Sequence, residues 1–88
     1  MKEPEIDHKA DTIAYRLLLA QLLKDDEMFD QAWADFGSAP RASRTHVVRR
    51  TLYEAAAAVE AYAGTENAVS GIQQLVAEHT LKAGLEHG

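Results

Sequence analysis

No cysteine occurs among the 88 residues. That excludes a disulfide framework, a thiolate zinc site and a cysteine nucleophile. Long apolar runs are missing too: Leu17 to Ala20, followed by Gln21 and two more leucines, falls far short of the ~20 residues that cross a bilayer. The opening stretch KEPEIDHK is charged and has no apolar signal-peptide core. These absences predict a cytoplasmic chain with no membrane contact. Large side chains are scarce, with one Trp, two Phe and three Tyr, and much of the 47% apolar share is alanine. A core built from these is small, so one helical domain over residues 1–88 is expected, helped by a homodimer or heteromeric interface.

Signatures of chemistry are equally sparse. There is no phosphate-binding glycine loop, no dinucleotide fingerprint and no Ser/His/Asp arrangement. His8, His46, His79 and His87 show no metal-ligand spacing. His79 reads as a packing residue at the edge of a core face, and His87 falls in a stretch expected to fray. No cofactor, no metal and no catalysis are expected.

Acid is absent from one place. Residues 1–35 carry −5 and residues 54–88 carry −4, whereas residues 36–53 hold four arginines, no acid and a charge of +4. The arginines are Arg41, Arg44, Arg49 and Arg50, within RASRTHVVRR. Arginine's planar fork suits carboxylate and phosphate. One use is internal, as counter-charge to the acidic helix just before the segment. The other is docking, with Arg41, Arg44, His46, Arg49, Arg50 and Tyr53 engaging an acidic or phosphate-bearing partner.

The periodicity is helical almost throughout and predicts a small all-α bundle of four helices. Their ranges are 5–24, 25–36, 45–63 and 66–83, with a loop at 37–44 and a tight antiparallel hairpin at the end. Ile6, Ala10, Ile13, Ala14 and Leu17 form one face of the first helix, while Asp7 and Asp11 read as solvated acids near its positive end. Asp25 or Asp26 caps the second helix, and Gly37 stops it. Ser43 or Thr45 caps the third, whose core face reads Val48, Leu52, Ala55, Ala56, Val59, Tyr62 and Ala63. His46, Arg50 and Tyr53 then lie on the opposite side. Gly64 separates the last two helices, and Gly71 inside the fourth suggests a close backbone approach.

Phe29, Trp33 and Phe36 fall at i, i+4 and i+7 of the acidic second helix. This is the spacing of a hydrophobic anchor in a groove, although with so few rings available they read first as core. The expected function is a non-catalytic interaction module: a regulator, adaptor or inhibitor whose partner is a protein. The alternative is a nucleic-acid binder, with a small RNA-cleaving helical toxin as a remote variant through Arg41 and His46. A helix-turn-helix is not expected, because the predicted connection from Gly37 to Arg44 is too long for its turn.

Overall fold

The computed structural model describes residues 2–87, with side chains as far as Leu85; the His87 side chain lies outside the described residues. Four helices form an all-α fold, and no strand occurs among the described residues: α1 His8–Leu23, α2 Asp26–Ser38, α3 Arg41–Ala63 and α4 Thr65–His87. The chain divides into two compact units, Met1–Ala55 and Ala56–Gly88.

The first unit is a bundle of α1, α2 and the start of α3. Asp7 caps α1, its carboxylate accepting from the Ala10 amide at 3.2 Å, while the Asp11 carboxylate accepts from the Asp7 amide at 3.1 Å. This reciprocal arrangement satisfies two amides that a helix start leaves unpaired. Lys24, in a left-handed conformation, closes α1 by donating its amide to Ala20 and Gln21 carbonyls. Asp25 then caps α2 through the Met28 amide at 3.0 Å. The core joins Ala10, Ile13, Ala14 and Leu17 of α1 to Ala32 of α2 and Val47 of α3, with Phe29 and Phe36 packed against it. Arg16 and Asp35 tie α1 to α2 at 2.6 Å. Small residues at Ala10, Ala14 and Ala32, each almost fully buried, let the helix backbones approach closely.

Three expectations about α2 and α3 change. Gly37 does not stop α2, which runs on to Ser38; Ala39 is the extended residue that ends it. α3 begins at Arg41, so the loop at 37–44 contracts to Ala39 and Pro40. Proline explains both boundaries: it forces the residue before it out of the helical region and presets its own φ for a helix start. Ser43 and Thr45 accordingly lie inside α3, and the Thr45 hydroxyl donates back to the Arg41 carbonyl.

The third change is rotational. Val47 is the large apolar residue that α3 buries, at 1% exposure, whereas Val48 and Leu52 are exposed. The face expected to meet the core is therefore turned outward, and the side carrying Val47 and Arg50 is turned in. Ile6 precedes α1 rather than joining its apolar face, and it is exposed.

The second unit is a helical hairpin. The last turns of α3 reverse through Gly64 into α4, and Gly64 has φ of 83°, which glycine adopts without strain. No residue of this unit is buried among those described. Gly71 has nothing within 4 Å of where a Cβ would stand. The close approach expected there is not made among the described residues of this unit.

Candidate interaction surface

The basic segment divides when its side chains are placed. Arg50 points inward and is 3% exposed, so it is not a surface contact as the sequence suggests. Its Nε donates to Asp11 Oδ1 at 3.0 Å, and its Nη1 lies 3.6 Å from Glu54 and 3.5 Å from Glu3. The Tyr53 ring centroid is 6.0 Å from the guanidinium carbon, at the outer limit of a cation–π contact.

Asp11 receives a second donor on the same oxygen. His46 Nε2 lies 2.7 Å from Oδ1, and because an ionised carboxylate only accepts, Nε2 carries the proton. Burial pushes the Asp11 carboxyl up. The hydrogen bonds from His46, Arg50 and the Asp7 amide outweigh that effect and leave it below its ordinary value of 3.8. Arg50 in turn holds its proton more firmly than a free arginine, chiefly through Asp11. The nearest counter-charge for Arg50 thus comes from α1, with Glu54 of α3 and Glu3 farther off. The α2 acids expected to neutralise the segment make no ion pair with its arginines among the described residues, and Asp35 goes to Arg16 instead.

Asp11 is the residue whose role the sequence misplaces most. It is 7% exposed and sits under α3 rather than in solvent. Its position one step after Ala10, on the rim of the apolar face, was the available signal. Its partner 39 residues on leaves no local trace.

Arg41 and Arg49 are exposed and Arg44 is half-buried; none of the three makes an ion pair among the described residues. The Arg44 Nη1 donates to the Gly37 carbonyl at 3.4 Å, a long contact. His46 and Tyr53 are half-buried, on the inward side with Arg50 rather than opposite the core. The structure therefore separates the six residues into three arginines without an ion pair among the described residues and a set near Asp11, in which Arg50 is buried and His46 and Tyr53 are half-buried.

The three rings of α2 form a ladder. Trp33 stacks between Phe29 and Phe36, with centroid distances of 6.0 and 5.1 Å. Phe29 and Phe36 pack on the core, while Trp33 is 55% exposed. No group of three or more histidines or acids is arranged to hold a metal among the described residues. Among the described residues, no helix is long and apolar enough to cross a membrane. The chain matches no protein-family model, no curated protein and no solved structure.

Proposed function

We propose that the chain is a non-catalytic protein-interaction module, a regulator, adaptor or inhibitor. The observation that carries this reading is the exposed apolar surface of the second unit. Val69, Ile72, Leu75 and Val76 fall within roughly a third of the circumference of α4, and each is about half exposed or more. An isolated helix pair gains little stability from propensity alone, so a face of this kind is normally covered. Arg41, Arg44 and Arg49 supply the sign of the partner: acidic, or phosphate-bearing.

Reversing Arg41, Arg44 and Arg49 to Glu is expected to abolish capture of the native partner from lysate while leaving the helical circular dichroism intact. Unchanged capture would remove the arginines from the interface. A homodimer is the simplest cover for the α4 face, and sedimentation over a concentration series tests it.

One observation favours nucleic acid as the second reading. The connection between α2 and α3 is two residues, Ala39 and Pro40, not the long loop that argued against a helix-turn-helix. Arginines on the first turns of α3 stand where a recognition helix would contact a groove. Against it, the chain carries −5 overall, and three cations supply little affinity for a polyanion at physiological salt. A binding constant for a random duplex that falls steeply with salt would establish this reading. Capture of the partner after nuclease treatment would reject it.

A further inference from the structure

Residues 2–7 precede α1 without helical structure and lie against α3. Arg50 holds them there. With its Nε committed to Asp11, the outer nitrogens face the segment: Nη2 donates to the Pro4 carbonyl at 3.0 Å and, more weakly, to the Glu5 carbonyl at 3.4 Å. The Glu3 carboxylate stands 3.5 Å from Nη1. These contacts engage main-chain carbonyls, which any sequence provides, and one carboxylate.

Apolar anchoring adds little: Ile6, the large apolar residue of the segment, is 74% exposed, and Pro4 is half-buried. A cleft of about 610 Å³ remains between the segment and α3, with Glu3 and Glu5 on one side and Thr45, His46 and Arg49 on the other. Arg49 is exposed at its edge without an ion-pair partner among the described residues. Polar attachment through one guanidinium, beside an open cleft with a free cation, describes a groove filled by a replaceable occupant.

We propose that this groove is a binding site for an extended acidic peptide of a partner protein, and that residues 2–6, up to the Asp7 cap of α1, are a displaceable strap occupying it. The occupant already present shows the chemistry the groove accepts: extended backbone carrying Glu3 and Glu5. Asp11 fixes the guanidinium in advance, so a peptide replacing the strap meets donors already oriented. The proposal rests on reading the start of α3 as a docking surface, and it adds the form of the ligand and a device that regulates access to it.

The test uses a chain in which Lys2–Ile6 is deleted, so that methionine is followed by Asp7, together with a fluorescein-labelled peptide Lys-Glu-Pro-Glu-Ile. A tethered segment competes at an effective concentration on the order of millimolar. The peptide is therefore expected to bind the shortened chain at least about tenfold more tightly than the full chain, by fluorescence anisotropy. Replacing both peptide glutamates by Gln should weaken it. Equal binding to the two chains, or none to a shortened chain with an intact helical spectrum, overturns the proposal. So does a shortened chain that no longer folds, since the segment would then be part of the core.

The full chain gives an independent reading. Excess unlabelled peptide should move the amide resonances of Glu3, Glu5 and Ile6, and stationary resonances overturn the proposal. Arg41 and Arg44 do not line the cleft, so their reversal to Glu tests the docking surface separately. Loss of the partner without peptide binding would sink the strap alone; peptide binding with the partner retained would sink the docking reading alone.

Discussion

Asp11 and Arg50 are both buried, so each depends on the other for the solvation that water no longer gives. The linkage follows from the Asp11 carboxyl being held below 3.8. A carboxylate with a depressed native pKa adds stability that is fully present above the unfolded value and is lost as pH falls through the native one. The wild-type chain should lose stability as pH drops below about 4. Asp11→Asn should be less stable at pH 7 and show a shallower decline across that interval, measured by urea denaturation at each pH. Parallel profiles would mean that Asp11 is not held ionised by its partners. Thr51 offers the opposite case: its hydroxyl is buried with no hydrogen-bond partner among the described residues. Leaving such a group unpaired costs on the order of 1 kcal/mol, and Thr51→Val keeps the shape without the hydroxyl. Thermal melting should rise by roughly 4–8 °C for each kcal/mol recovered; a fall would show that the hydroxyl is satisfied by water. Neither residue's role was legible in the sequence. Arginine and aspartate are seldom buried unless paired, and a pair on separate helices has no spacing to read.

Elements were legible where the signal is local. Asp25 as a cap, the Ala10–Ile13–Ala14–Leu17 face and Gly64 as the break before α4 all depend on neighbours within a few residues. The start of α3 was displaced because Ser43 and Thr45 resemble caps, while Pro40 sets the boundary four residues before Arg44. The rotation of α3 was missed for a different reason. Its long alanine run is apolar on every side, and four of the seven residues of the expected face, Ala56, Val59, Tyr62 and Ala63, lie in the second unit, away from the core that Val47 joins. Within the first unit, Val47 and Arg50 determine which side turns inward. The glycines provide opposite predictions. Gly64→Ala forces a side chain to a φ of 83° and should cost about 1 kcal/mol. Gly71→Ala meets open space in mid-helix and should gain about 1 kcal/mol from helix propensity. Chemical denaturation of both variants checks the signs. A destabilising Gly71→Ala would place another backbone at that point.

At the scale of the whole molecule, two surfaces of opposite character compete to explain how the chain associates. Salt distinguishes them by sign. Contacts through Arg41, Arg44 and Arg49 weaken as ionic strength rises, because exposed charges are screened over a Debye length of about 8 Å at 0.15 M. Contacts between copies through the α4 face respond the other way. Each copy carries −5, so screening lessens their repulsion while leaving apolar burial intact. Self-association is therefore expected to strengthen, and partner capture to weaken, between 0.05 and 0.5 M sodium chloride, with sedimentation and affinity capture run in parallel. Hydrogen exchange then locates the surface. The buried side chains of the described chain all lie between Ala10 and Arg50, so amides beyond Ala56 should exchange faster than those of α1 in the dilute chain. They should slow on association if α4 is the contact. Association that leaves α4 amides unprotected would move the interface to the first unit, where the exposed Trp33 is the next apolar surface to test.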